Sequence, residues 1–61
     1  MLKFEVTYNL KQKGAMVYYV EAADATAARR TADRWFNIER GTYTAKNAKN
    51  VKIRQVAAFP A

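Results

Sequence analysis

The chain has 61 residues, enough for one small domain spanning residues 1–61. It contains no cysteine and no histidine, which argues against disulfides, a structural zinc site, a cysteine nucleophile and histidine acid–base catalysis. Eleven Lys and Arg residues against five Asp and Glu give a net charge of +6. An excess of this kind favours nucleic acid, an anionic membrane or an acidic protein surface as partner, although it also simply keeps a small domain soluble.

The first 22 residues carry the pattern of a β-hairpin. Residues 2–10 alternate between apolar and polar side chains without interruption, which is the period of a half-buried strand. The polar stretch 11–14 ends in glycine and predicts a reversal, and residues 15–22 are rich in strand-forming Val and Tyr. We expect the even-numbered residues of both strands to face inward, because that choice keeps Glu21 out of the core.

Residues 24–41 predict one amphipathic helix. Its apolar side chains recur at steps of three and four and form a single stripe, made of Ala25, Ala28, Ala32, Trp35 and Phe36. Asp24 can cap the first turn, and the glycine at position 41 can end the last one. We expect Trp35 and Phe36 to fill the space beneath the last two turns, and Asp33 to lie on the outward, solvated side.

The remaining residues predict a loop over 41–50 and a third strand over 51–59, in which the alternation breaks at Gln55 and Val56 and indicates a bulge or a change of partner. The fold class is therefore α+β in the order ββαβ, with one helix on one face of a three-stranded sheet. The third strand can pair with the first, giving a mainly antiparallel sheet of order 3-1-2, or lie parallel to the second. We favour the first arrangement, because residues 2–10 have the cleanest pattern and suit a central strand.

One face of such a sheet has no helix over it. The strand assignments place ten side chains there: Lys3, Glu5, Thr7, Asn9, Lys11, Val17, Tyr19, Glu21, Lys52 and Arg54. Cations around an aromatic ring are typical of surfaces that follow a phosphate backbone and stack on a base, although polar residues are common on any exposed sheet face. Lys46 and Lys49 of the loop border this face, and the candidate partner-binding residues are Lys3, Lys11, Val17, Tyr19, Lys46, Lys49, Lys52 and Arg54.

The helix offers a second, weaker candidate surface. It carries a group of arginines whose forked side chains suit phosphates and carboxylates: Arg29, Arg30, Arg34 and Arg40. Asp33 lies among them and offsets part of their charge, and several arginines on a helix exterior are usually just solvated. We therefore favour the open sheet face as the site.

The sequence thus favours a non-enzymatic protein that binds nucleic acid through its open sheet face, with no catalytic residue, metal or cofactor. The first alternative is an inhibitor or adaptor, of the kind phages and mobile elements encode, that binds an acidic host protein which handles nucleic acid. A homodimer through the same face, centred on Val17 and Tyr19, is a third reading. The sequence lacks the patterns of an RNA recognition motif, a helix-turn-helix and a zinc finger. Neither a signal peptide nor a membrane span is visible, so we expect a cytoplasmic protein without membrane contact.

Overall fold

The computed structural model describes residues 1–10, 14–40 and 49–60. Three strands and one helix follow in the predicted order: β1 (Leu2–Leu10), β2 (Gly14–Ala22), α1 (Ala25–Arg40) and β3 (Lys49–Val56). Both outer strands pair antiparallel with β1, so that the sheet has the order β2-β1-β3 with α1 on one face. The predicted α+β class and strand arrangement are confirmed, and the central position of β1 agrees with its uninterrupted alternation.

The helix begins where the sequence indicates. The Asp24 carboxylate accepts a hydrogen bond of 2.8 Å from the Ala27 amide, which would otherwise lack a partner in the first turn. The residues that α1 buries completely lie four positions apart, at Ala28, Ala32 and Phe36. Spacing of four lets the alanines bring the helix close to the sheet while the phenylalanine fills the gap below its last turns.

Two residues predicted to lie on the buried stripe do not. Ala25 is exposed in the first turn, and Trp35 is 42% exposed. The Trp35 ring rests against Tyr18 with a centroid distance of 6.4 Å, over the edge strand β2. A sheet of three strands is only about 10 Å from first to last strand axis. A large side chain on the flank of the helix therefore reaches the border of the sheet rather than its centre.

The core contains two tyrosines whose hydroxyl groups reach the helix. Tyr8 is completely buried and stacks on Phe36 at 4.5 Å, and its hydroxyl donates a hydrogen bond of 2.5 Å to Asp33. The Tyr18 hydroxyl donates to Glu39 at 3.2 Å. Asp33, predicted on the outward, solvated side of α1, is 32% exposed and also accepts from Tyr8, because a tyrosine on the central strand is long enough to reach past the buried stripe to the flank of α1.

The third strand differs most from its predicted bounds of 51–59. It begins at Lys49, because a bulge at residues 50–51 sets two residues opposite Tyr8. Asn50 takes a positive φ of 53° there, and its carbonyl accepts a hydrogen bond of 2.8 Å from the Asn9 side chain. The break expected at Gln55 and Val56 does not occur, since both residues pair in register with β1. The strand ends at Val56, and residues 57–58 bend away from its direction.

Candidate nucleic-acid interface on the outer sheet face

The side of the sheet that faces away from α1, here called the outer face, carries side chains from all three strands. The pairing register arranges them in three cross-strand rows: Glu21–Lys3–Val56, Tyr19–Glu5–Arg54 and Val17–Thr7–Lys52. In each row the central residue belongs to β1. Because opposite residues on neighbouring strands lie about 4.5–5.5 Å apart, every row is close enough for direct side-chain contact.

The middle row is a hydrogen-bonded network centred on Glu5. Arg54 donates from Nε to Oε1 of Glu5 at 2.8 Å and from Nη2 to Oε2 at 3.4 Å. The Tyr19 hydroxyl donates to Oε2 from the opposite strand at 3.3 Å. Side-chain exposure is 19% for Glu5 and 71% for Arg54, so the carboxylate lies low in the network and the guanidinium lies above it.

The titration behaviour of this row follows from the same contacts. The hydrogen bond from Arg54 is the main cause that lowers the pKa of Glu5, and burial opposes it only in part. Burial, together with the charge of Glu5, raises the pKa of Tyr19. Near neutral pH the row therefore holds a carboxylate, a guanidinium and a neutral phenol.

Phe59 belongs to this face, although the sequence pattern placed it in the third strand. After the bend at residues 57–58, its ring lies 5.7 Å from the Tyr19 ring at an interplanar angle of 54°. The Lys3 ammonium lies 5.9 Å from the Phe59 ring centroid, which is within cation–π range. The available signal was one large apolar residue placed between the small Ala57 and Ala58 and a helix- and strand-breaking Pro60.

The structure brings five of the predicted site residues together on the outer face: Lys3, Val17, Tyr19, Lys52 and Arg54. Lys11 and Lys46 lie outside the described residues. The backbone of Lys49 pairs with Asn9 at the start of β3, and its side chain is likewise outside the described part of the chain. Arg54, one of the candidate partner-binding residues, forms an ion pair with Glu5.

A groove of about 540 Å³ lies between β1 and β3 on this face. Its lining offers a carboxylate, a hydroxyl, an amide, an amine and a guanidinium, from Glu5, Thr7, Asn9, Lys52 and Arg54, together with the aliphatic Ile53. Donors and acceptors of these kinds bind phosphates and base edges.

The three arginines of α1 whose side chains the structure describes do not form a second network like the one around Glu5. Arg29 donates from Nε to Asp33 at 2.9 Å, and its guanidinium lies 5.9 Å from the Tyr8 ring centroid, so it contributes to the packing of the helix. Arg30 and Arg34 are exposed on the helix. The side chain of Arg40 lies outside the described part of the chain. Arg30 and Arg34 therefore provide exposed positive charge remote from the outer face.

Comparisons with known proteins identify no relative: no family model, curated protein or solved structure matches the chain. In the described ranges 1–10, 14–40 and 49–60, no helix has the length and apolarity needed to span a membrane.

Proposed function

We propose that this protein is a non-enzymatic binding domain that contacts single-stranded nucleic acid through its outer face. The observation that carries the proposal is one face that combines three cations, Lys3, Lys52 and Arg54, with the aromatic pair Tyr19 and Phe59. Cations that follow a backbone beside rings that stack on bases are the parts from which single-strand binding surfaces are built.

The described charges set the expected strength of this attraction. Among the side chains that the structure describes, the outer face holds three cations and two carboxylates, and one of those carboxylates, Glu5, is paired with Arg54. Electrostatics alone therefore gives modest binding, and stacking on Tyr19 and Phe59 supplies the remainder. If all three cations meet phosphates, the affinity falls with salt at a logarithmic slope of about −2, since each phosphate contact on a single strand contributes about −0.7.

The test uses two double variants that remove equal charge from opposite sides of the molecule. Lys3→Gln with Lys52→Gln changes the outer face, and Arg30→Gln with Arg34→Gln changes the helix. Binding of a fluorescent single-stranded oligonucleotide is followed by anisotropy over a series of salt concentrations. We expect the outer-face variant to lose about 1.4 of the salt slope, at about 0.7 per lysine, and the helix variant to keep the slope of the wild type.

Two results would contradict the proposal. Equal weakening by both double variants would mean that nucleic acid responds to net charge and not to the outer face. Failure of the wild-type protein to bind single-stranded or duplex DNA or RNA at low salt would remove nucleic acid as the ligand altogether.

A protein partner is the second candidate function, and the exposure of Val17 favours it. Val17 is 42% exposed on the outer face beside Tyr19, and the buried centre of a protein interface is more apolar than the rest of a protein surface. The partner would be an acidic protein that the chain inhibits or recruits, or a second copy of the chain. Capture from a nuclease-treated lysate identifies the first case, and light scattering over a range of concentrations identifies the second.

A further inference from the structure

The carboxylate of the Glu5–Arg54 pair lies on a surface that is otherwise suited to bind an anion. Glu5 stands in the middle row of the face proposed to bind an anion, where its negative charge offsets one of three cations. Exposed ion pairs contribute little to stability, because solvent screens the charges and ordering the side chains costs entropy. The geometry of the pair, rather than its energy, is what distinguishes it.

Arg54 meets Glu5 side-on. Its Nε and Nη2 donate to the two carboxylate oxygens at 2.8 and 3.4 Å, and this contact uses one edge of the planar guanidinium. The other edge, formed by Nη1 and the second hydrogen of Nη2, has no partner in the part of the chain that the structure describes. With the Arg54 side chain 71% exposed, that edge is open to a ligand.

Glu5 is itself held in place. The Tyr19 hydroxyl donates to the same Oε2 atom that accepts from Arg54 Nη2, so the carboxylate is fixed from both neighbouring strands. A side chain oriented in advance loses less entropy when it binds, and an arginine fork then presents two parallel N–H donors at a fixed spacing.

We propose that Glu5 is a positioning residue that orients Arg54 so that the open guanidinium edge binds two adjacent acceptors on nucleic acid. This inference rests on the proposed function of the outer face. Two groups in nucleic acid present such a pair of acceptors, namely the non-bridging oxygens of a phosphate and the O6 and N7 atoms of guanine.

Substituting Glu5 distinguishes a positioning role from simple electrostatics, because the two predict opposite changes in the affinity for nucleic acid. Glu5→Gln raises the net charge by one, so electrostatics alone predicts tighter binding of an anion. Positioning predicts weaker binding, by about 3- to 10-fold, because Arg54 must then be ordered at the moment of association. Glu21→Gln is the matched control, since it removes the same charge from the same face and leaves the Glu5–Arg54 pair intact.

Arg54→Lys provides a second variant that retains the charge and loses the fork. We expect it to weaken binding as much as Glu5→Gln does, and the double variant to be no weaker than either single one, because both changes remove the same oriented donor pair. If Glu5→Gln and Glu21→Gln increased the affinity for the oligonucleotide equally, the positioning role would be overturned. The proposed function would still stand in that case, because the wild-type protein binds.

The choice of oligonucleotide identifies the acceptor. An oligothymidine probe contains phosphates and no guanine, so a loss on Glu5→Gln with this probe assigns the open edge of Arg54 to phosphate. A loss seen only with guanine-containing probes, and abolished when 7-deazaguanine removes N7, assigns it to the base. An absence of wild-type binding to every probe would refute the proposed function itself and is thereby distinguished from failure of the positioning role.

Discussion

Replacing Tyr8 by phenylalanine should change the stability of the fold in a way that depends on pH. The ring is completely buried, and the substitution removes only the hydroxyl that donates to Asp33. The Asp33 carboxylate keeps its ion pair with Arg29, and its side chain is 32% exposed, so water can replace the lost donor. Near neutral pH we therefore expect a loss of about 1 kcal/mol in the free energy of unfolding.

At high pH the same hydroxyl lowers the free energy of unfolding. Burial, followed by the hydrogen bond to Asp33 and its charge, raises the pKa of Tyr8 above its usual value of 10.0. A group whose pKa is raised in the folded state contributes its full stability below the unfolded pKa and loses it as pH rises further. Near pH 11 the unfolded chain gains about 1.4 kcal/mol by ionising this phenol, and the folded chain gains far less.

Together, the two effects predict that the difference in free energy of unfolding between the wild type and Tyr8→Phe becomes smaller as the pH rises. Phenylalanine cannot ionise, so the variant avoids the high-pH penalty, and the deficit of about 1 kcal/mol near pH 7 should shrink to about zero or reverse near pH 11. Urea unfolding followed by far-UV circular dichroism, at about pH 7, 9 and 11, measures the difference. The two proteins share every other ionisable residue, so the difference between them isolates the Tyr8 hydroxyl. A deficit that stays constant over this range would refute the placement of the Tyr8 hydroxyl.

Two further predictions concern the helix cap at Asp24 and the strand bulge at Asn50. Asp24→Ala should lower the free energy of unfolding by about 1 kcal/mol, because it removes the acceptor of the Ala27 amide, whereas Asp24→Asn keeps an acceptor and most of the stability; urea unfolding compares the two. Asn50→Ala should lower it by about 1–2 kcal/mol, since alanine tolerates a φ of 53° poorly, whereas Asn50→Gly should be close to neutral; a thermal midpoint that moves equally for both would argue against the bulge.

The sequence predicted best those features that one element determines by itself. The alternation of residues 2–10 specifies both the extent of β1 and the face on which each side chain lies, since a shift by one residue would exchange the two faces. The cap at Asp24 and the stripe of Ala28, Ala32 and Phe36 are likewise local. Strand order followed because the strand with the cleanest pattern belongs at the centre of a small sheet.

Features that depend on how elements meet were not predictable in the same way. The helical period gives the angle of Trp35 around the helix axis, but not the distance of that side chain from the edge of the sheet. Phe59 reaches the outer face because β3 ends at Val56, and that end point depends on pairing with β1. The bulge required a positive φ at Asn50, and asparagine tolerates that conformation without demanding it.

The pairing of Glu5 with Arg54 shows the same limit within the candidate site. The alternation assigned both residues to the outer face. Their contact depends on the register of β3 against β1, and the bulge near Asn50 shifts that register relative to a regular strand. A predicted list of cations on a face therefore does not indicate which of them are already paired.

Both faces of the sheet contain a tyrosine–carboxylate hydrogen bond, but one belongs to the packing of the core and the other lies at the surface. On the helix side, Tyr8 donates to Asp33 from a ring that is completely buried, so changes there alter the packing of α1. On the outer face, Tyr19 and Arg54 meet Glu5 at the surface, and Arg54 makes no contribution to the buried core. Binding and folding should consequently be separable in this protein: variants of the outer network report on the ligand, and variants of the inner one report on the fold.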